Sequence, residues 1–397
     1  MKIFIVTDNK YPSPSAIATH ITLVAKILAE KGHNVKVIGR GETNRGVYND
    51  IPFVSLRGSG TTKISLLFNY FFRFKKDFLK VLKREKPEVV IMYAIPLGLS
   101  KKLISRSLRG DFLLLNDSVE WYSKEESAFM SAERLRYYIH EYRMKKLLPR
   151  NVTIIAISQY LKNYFISHGN DCVYLPAVCD TAHVTYAKCT DRKKLVVLYA
   201  GTPGKKDLFE PIVKAISELS TGEREKLRLE IVGSNASMIA ENANVSVQFI
   251  ESLGDCVTFL PRMPHSDVLQ RLEKADFTIL IRPTEMRYAK AGFPTKVPES
   301  LSTGTPVICN YTSDLAMYLE DGVNAVIAEG YSTADVKAAL KKALSLTMEQ
   351  REQMYKNARK TAEERFDYRL YVDEINDFIE SSYKKMRSKT QGQKDHC

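Results

Sequence analysis

The sequence predicts an α/β protein made of two doubly wound domains. Three observations lead there. At 397 residues the chain exceeds what one ordinary hydrophobic core accommodates. Short apolar runs of strand length alternate with longer stretches of helical periodicity, and such alternation builds parallel sheets covered by helices on both faces. The alternation then lapses and begins again at residue 195. Domain one is assigned to residues 1–180 and a polar linker without periodicity to 181–193. Domain two takes residues 194–366, and 387–397 is a polar tail expected to be disordered.

In domain one the first strand is expected at 2–6, where Ile3 to Val6 is continuously apolar. Its turn into the helix at 17–31, D-N-K-Y-P-S-P-S-A-I-A-T (8–19), carries no G-x-G-x-x-G. Ser15 is placed to cap that helix, so the turn reads equally as a plain cap or as a ligand loop. Strands follow at 35–38, 52–55, 88–93, 112–115, 152–156 and 172–175, most of them apolar enough to be buried on both faces. Helices are expected at 63–86, 97–108, 130–148 and 158–167. Helix 63–86 aligns Leu67, Phe71, Phe74, Phe78 and Val81 on one core face. Phe72 and Leu79 fall on its flank beside Lys76 and Lys83, the layout of an interfacial helix, although most of the helix reads as a core stripe with a solvated basic back. In domain two the strands are expected at 195–200, 227–232, 256–259, 277–281, 305–309 and 324–328. Helices fall at 207–219, 246–253, 266–274, 295–303, 333–346 and 348–364. Doubly wound domains bind ligands at the carboxyl ends of their strands, so a cleft between the two domains is the expected site.

Composition narrows the class. With 44% apolar and 26% charged residues the chain is an ordinary globular protein. No apolar run is long enough to span a bilayer, and the N-terminus enters a strand without a signal-peptide layout, so a cytoplasmic location is expected. The six cysteines, at 172, 179, 189, 256, 309 and 397, form no Cys-x-x-Cys pair, which suits reduced thiols. The net charge of +13 is uneven: residues 1–180 hold 28 Lys+Arg against 16 Asp+Glu, and residues 181–397 hold 31 against 30. The basic half suits an anionic membrane surface, nucleic acid or a phosphorylated acceptor. No H-E-x-x-H, Asp-x-Asp, G-x-S-x-G or Walker A pattern is present, so no metal site is expected, nor serine-hydrolase or P-loop chemistry.

The most informative stretch is R-P-T-E-M-R-Y-A-K-A-G-F-P-T-K-V-P-E-S-L-S-T-G-T-P-V, residues 282–307. Gly292 offers a permissive backbone and Pro294 suits the first position of a helix. The amides of Phe293 and Thr295, with Lys296 beside them, are expected to bind an anion at a helix N-terminus. Glu299, about one turn on, can accept hydrogen bonds from sugar hydroxyls. A second loop, Y-A-G-T-P-G-K-K-D (199–207), offers Gly201, Thr202 and Gly204 for a tight approach and Lys205 or Lys206 for a diphosphate. Its bland alternative is two solvated lysines before a helix capped by Asp207. The loops at 232–235 and 260–265 end neighbouring strands and either can hold a base; Arg262 and Met263 are chosen, and His265 is read as a helix-entry residue. In domain one a strand ends at Asn116, Asp117 and Glu120, polar groups at the end where chemistry is expected.

These motifs carry a resemblance. G-H-N-V-K-V-I-G (32–39), the A-G-T-P-G-K-K-D loop, A-D-F-T-I-L-I-R-P and G-F-P-T-K-V-P-E-S-L-S-T-G-T-P-V-I together resemble the bacterial family-4 retaining glycosyltransferases of the GT-B fold, above all those of capsular and surface polysaccharide synthesis. The resemblance implies a final helix, 367–386, that packs back on domain one. It implies that Glu299 holds the ribose, that Phe293 to Thr295 contact the diphosphate, and that Lys206 or Lys205 neutralises it without a metal or other cofactor. The sequence departs from the family at three points. The first glutamate of the E-x7-E motif falls on Ala291, the usual first-domain histidine on Asn116 next to Asp117, and the first-loop glycine pair on Ser15-Ala16. Glu285 or Glu120 could replace the missing carboxylate.

The function implied is transfer of a sugar, with retention, from a UDP- or GDP-linked donor to a saccharide or lipid-linked acceptor. The enzyme would be cytoplasmic or peripheral at the inner membrane face, with no nucleic-acid partner. Asn116, Asp117 and Glu120 are the candidate catalytic groups. Two rivals remain: a nucleotide-sugar epimerase of similar fold, and a catalytically silent GT-B partner subunit.

Overall fold

The computed structural model describes all residues except 42–43, 58–72, 125–131, 187, 189–192, 202, 205 and 395–397. Contacts divide the chain into two units, Met1–Val178 joined by residues from Tyr368 onward, and Cys179–Asp367.

The first unit is built on an eight-stranded sheet. Its strands are β1 (Lys2–Lys10), β2 (Asn34–Gly41), β3 (Asn44–Tyr48), β4 (Ile51–Arg57), β5 (Val89–Tyr93), β6 (Leu113–Ser118), β7 (Thr153–Ala156) and β8 (Cys172–Tyr174). They lie in the order β3-β4-β2-β1-β5-β6-β7-β8. Every described pairing is parallel except β3 with β4. The order runs outward from β1 through β2 to β4, then resumes on β1's other side with β5. The switch point therefore lies between β1 and β5. Helices α1 (Ala16–Ala29), α2 (Phe74–Glu85), α3 (Leu97–Ser107), α4 (Ala132–Tyr142) and α5 (Gln159–Ser167) connect the strands. Ser15 caps α1 by accepting from the Ala18 amide at 3.2 Å. Ile3, Ile5, Val24, Ile27, Leu28, Val89 and Ile91 are fully buried in one core. Each such side chain contributes on the order of 1.5–3 kcal/mol of burial.

The second unit has a six-stranded parallel sheet of β9 (Leu195–Ala200), β10 (Leu227–Val232), β11 (Val257–Leu260), β12 (Phe277–Leu280), β13 (Val307–Asn310) and β14 (Ala325–Ala328). Its order is β11-β10-β9-β12-β13-β14, so its switch point lies between β9 and β12. Helices α6 (Glu210–Ser217), α7 (Thr221–Glu225), α8 (Ala236–Ala243), α9 (Val247–Ser252), α10 (His265–Lys274), α11 (Arg287–Ala291), α12 (Lys296–Ser302), α13 (Thr333–Ser345) and α14 (Met348–Thr361) surround it. The described residues of 181–193 are tied to this unit. Arg359 donates to the carbonyls of Thr181 and Val184, and Lys188 donates to that of Leu272 at 3.2 Å.

The last helix, α15 (Val372–Lys394), belongs to the first unit. Ile375 and Ile379 are fully buried, and Asn376 Nδ2 donates to the Ile27 carbonyl at 2.9 Å. Thr390 rests against Gly110, which carries the helix into the stretch whose polar composition suggested disorder.

Several elements differ from the sequence reading. Strand β3 was not expected; N-R-G-V-Y is short and mostly polar, and it forms by antiparallel pairing with β4. The helix expected over 130–148 is interrupted, with α4 giving way to a π-helical turn at Arg143–Leu147. The helix expected from 207 begins at Glu210, with Pro211 in its first turn and Asp207 drawn elsewhere. Of the helix expected over 63–86, residues 63–72 lie outside the described residues, including Phe72. In α2 itself Phe74, Phe78 and Val81 are buried as the core stripe requires, Leu79 is half-buried, and Lys76 and Lys83 are exposed.

Candidate functional site

Each unit gathers polar side chains at the switch point of its sheet. In the second unit the hub is Asp207, which lies in the loop after β9 and is only 7% exposed. It accepts hydrogen bonds from Tyr199 Oη at 2.7 Å, Arg282 Nε at 2.8 Å and Lys296 Nζ at 2.9 Å. Tyr199 comes from β9, Arg282 follows β12, and Lys296 opens α12, so one carboxylate ties together both strands of the switch point. Asn310 fixes the Arg282 main chain from both sides, accepting from its amide at 3.0 Å and donating to its carbonyl at 2.7 Å. Burial alone would raise the Asp207 pKa, but Lys296 and then Arg282 beside it hold the carboxyl well below the usual carboxylate range. The Tyr199 phenol is pushed up, by burial first and by the Asp207 charge second. Burial lowers the Lys296 pKa and the Asp207 charge opposes that fall; with both bases protonated, two cations on one carboxylate leave one positive charge in excess, suited to a further anion.

The loop needs its glycine here. Gly201 has φ +129°, and a Cβ at that position would meet Lys296 Cε and Nζ at 3.4 Å. Lys296 Nζ also sits 3.8 Å from the centroid of the Tyr199 ring.

The other residues singled out in this unit fall as follows. Lys206 Nζ lies 5.7 Å from the Tyr288 ring centroid, while Thr202 and Lys205 lie outside the described residues. Gly292 has φ −93°, an extended conformation open to any residue, so the permissive backbone expected of it is not used. Pro294 precedes the helix rather than opening it: Thr295 is the N-cap of α12, Lys296 the first helical residue, and the Pro294 carbonyl accepts from the Val297 amide at 3.0 Å. The Phe293 side chain is buried against Tyr318 and Phe366, each ring centroid at 5.8 Å, so only its main chain can face a ligand. Ala291 is fully buried at the end of α11. Glu285 is exposed and accepts from Thr284 Oγ1 and Tyr331 Oη, both at 2.9 Å.

Glu299 lies in the first turn of α12, and its Oε1 accepts from His265 Nε2. This bond raises the His265 pKa above its ordinary 6.5. It also brings the loop after β11 up to Glu299, so that Arg262, which is exposed, and Met263, which packs beside Val196, Leu198 and Leu272, share a neighbourhood with that carboxylate.

In the first unit β6 runs through Ser118, so Asn116, Asp117 and Ser118 are buried strand residues rather than a turn. Asn116 Nδ2 donates to Ser118 Oγ at 2.7 Å. Asp117 Oδ2 accepts from His20 Nε2, on α1, at 2.8 Å; the two residues are 6% and 7% exposed. The other carboxylate oxygen, Oδ1, is buried without a hydrogen-bond partner among the described residues. Tyr93, the last residue of β5, stacks obliquely on His20 with centroids 5.7 Å apart. Its phenol is pushed far up, first by burial and then by Asp117 and Glu120. Glu120 accepts through its carbonyl from His140 Nε2 at 3.1 Å. Trp121 turns inward, donating to Glu141 at 3.0 Å with Tyr164 edge-on at 4.4 Å. A buried carboxylate with a free oxygen at a switch point can accept a ligand hydroxyl, and His20 fixes its orientation.

Sequence reasoning missed Tyr199, Asp207, Arg282 and His20 as members of these clusters. In the sequence Asp207 reads only as a helix cap. The one signal available was position, since Asp207 and Arg282 both follow a strand that borders the switch point. Among the described residues no group of three or more His, Cys, Asp or Glu is placed to hold a metal ion, and no helix is long and apolar enough to cross a membrane.

Residues 188–361 match the family model of glycosyl transferases group 1. No curated protein sequence matches the chain. Among solved structures the chain is similar to sucrose-phosphate synthase (tll1590) from Thermosynechococcus elongatus, with TM-score 0.75, 16% identity, and coverage of 97% of this chain and 99% of that one. It is similar to Anabaena Alr3699/HepE in complex with UDP, with TM-score 0.68, 15% identity, and coverage of 96% and 100%. It is also similar to WaaG, a glycosyltransferase involved in lipopolysaccharide biosynthesis, with TM-score 0.66, 16% identity, and coverage of 95% and 99%. Two Rossmann-like domains with parallel sheets give this chain the GT-B fold of the glycosyltransferases, and its second domain carries the match to glycosyl transferases group 1.

Proposed function

We propose that the protein transfers a sugar from a nucleotide-diphosphate donor, UDP- or GDP-linked, to a hydroxyl of a saccharide or lipid-linked acceptor. The observation that carries this reading is the family match over 188–361, the segment that contains Asp207, Arg282, Lys296 and Glu299. In this proposal domain two binds the donor. Glu299 accepts the ribose hydroxyls. The main chain at Phe293 to Thr295, Lys206 and the positive excess around Asp207 stabilise the diphosphate as it leaves, without a metal. Arg262 and Met263 adjoin the base. Domain one serves the acceptor: Asp117 Oδ1, oriented by His20, accepts a hydrogen bond from a sugar hydroxyl. Retention of configuration, a role in surface polysaccharide synthesis, and a cytoplasmic location peripheral to the inner membrane face complete the proposal. They are supported by the resemblance of the 292–307 motif and by the basic charge of domain one.

The test is transfer of label from a panel of UDP- and GDP-sugars to saccharide and lipid-linked acceptors, with the product's anomeric configuration read by NMR. Transfer with retention is expected. Isomerisation of the sugar without transfer would establish the epimerase instead, and nucleotide binding without turnover of any donor would favour the silent subunit.

A further inference from the structure

Helix α4 is amphipathic in the reverse sense. Its inner side is anchored to the domain: His140 donates to the Glu120 carbonyl and packs on the Tyr122 ring at 4.7 Å, and Glu141 accepts from Trp121. Burial, with Arg143 second, lowers the His140 pKa to about 4, so its imidazole is neutral at physiological pH. Met144 and Leu147, in the π-helical turn that follows, continue the buried side. The opposite side carries Leu135, Tyr138 and Tyr142, spaced three and four residues apart, hence in register on one helical face. They are 61%, 54% and 42% exposed. One exposed leucine needs no explanation, but an aligned apolar face turned away from the core does.

What borders this face is basic. Lys101 Nζ lies 5.0 Å from the Tyr142 ring centroid. Lys145 and Lys146, in the turn that follows, are exposed, and Lys145 also pairs with Glu141 at 2.6 Å. A leucine and two tyrosines beside lysines suit the headgroup boundary of a bilayer, where tyrosine places its ring in the apolar edge and its hydroxyl in water. The unit around them holds most of the chain's net positive charge.

We propose that α4 is the membrane-contacting face of the protein, lying on an anionic lipid surface with Leu135, Tyr138 and Tyr142 dipped into the headgroup boundary. This deepens the peripheral location put forward above and gives it a surface other than α2. A lipid-linked acceptor would then be met by the domain proposed to receive it.

The test is flotation of the full chain with phosphatidylcholine vesicles, with and without phosphatidylglycerol. Wild type is expected to float with the anionic vesicles and to stay behind with the neutral ones. The triple variant Leu135→Ser, Tyr138→Ser, Tyr142→Ser should partition about tenfold or more less strongly, with an unchanged melting temperature because these side chains are exposed. Lys145→Glu with Lys146→Glu should weaken binding roughly fivefold or more, while Lys76→Glu with Lys83→Glu on α2 should leave it near wild type. The proposal is overturned if wild type ignores anionic vesicles, if the triple variant floats like wild type, or if only the α2 variant loses binding. A dimer dissolved by the triple substitution, without vesicle binding, would assign the face to a second copy of the chain and also overturn it. Nucleoside diphosphate affinity, measured on the same preparations, is expected to be equal in wild type and triple variant. Vesicle failure with intact nucleotide binding refutes the membrane face alone, whereas a wild type that binds no nucleotide refutes the proposed function.

Discussion

Replacing Asp207 with alanine should destabilise the second domain severely and in a pH-dependent way. The carboxylate is buried and holds two cations, Arg282 with a side chain 13% exposed and Lys296 with one 31% exposed. Its removal leaves Arg282 and Lys296 without their shared carboxylate, and Lys296, whose pKa burial lowers, loses the charge that opposes that fall. Breaking a fully buried pair costs about 3–5 kcal/mol. Lys296 retains some solvent, so the lower end applies, about 3 kcal/mol, with about 1 kcal/mol more for the lost Tyr199 hydrogen bond. For a domain of this size that corresponds to a fall in melting temperature of roughly 10 °C. The Asp207 pKa is held below its unfolded value of 3.8. Its contribution is therefore fully present above that value and is lost as pH falls through the folded pKa. The gap between wild type and Asp207→Ala should stay constant from neutral pH down to about pH 5 and close on further acidification. Inorganic phosphate should narrow the gap at neutral pH, because a bound anion can take the place of the carboxylate. Thermal denaturation followed by circular dichroism across pH measures all three. A gap below about 2 °C at neutral pH, or one that widens on acidification, would refute the hub role of Asp207.

Other predictions follow from the remaining contacts. His265 should titrate above 6.5 in wild type and return toward it in Glu299→Gln, as read by NMR of its ring protons; equal values in the two proteins would contradict the pair. Asp117→Asn should disturb the His20 contact and cost on the order of 1–3 kcal/mol of stability in domain one. The same variant should lower transfer while leaving nucleoside diphosphate affinity unchanged, because Asp117 belongs to the other unit; a matching loss of nucleotide affinity would place it differently. Transfer should survive prolonged chelation, and activity abolished by EDTA and restored by magnesium or manganese would overturn metal independence.

Apart from β3, the strands of both sheets were legible because parallel strands buried on both faces are nearly uniform apolar runs, as V-V-I-M-Y of β5 and L-V-V-L-Y-A of β9 show. What escaped was short or context-made. α8 begins at an Asn235 cap within a polar stretch, and α11 is a single turn between loops. The 282–307 motif was readable as a local pattern, but its electrostatic partner was not. Lys296 meets Asp207 across 89 residues of sequence, and His20 meets Asp117 across 97. No periodicity or spacing encodes such pairs. They arise because parallel crossovers bring the ends of distant strands together at a switch point. The first position of α12 was misjudged by two residues, since Pro294 suits both the first helical residue and the loop before it.

The central claim is that domain two holds a nucleotide diphosphate through Glu299 and Lys206, and calorimetric titration tests it most directly. UDP, GDP and their sugars are titrated into wild type, Glu299→Ala and Lys206→Ala. The expected result is saturable binding of one nucleotide series, with each substitution costing on the order of 1.5–3 kcal/mol, or about tenfold to a hundredfold in affinity. Unchanged affinity in both variants, or no binding by wild type to any of these ligands, would contradict it.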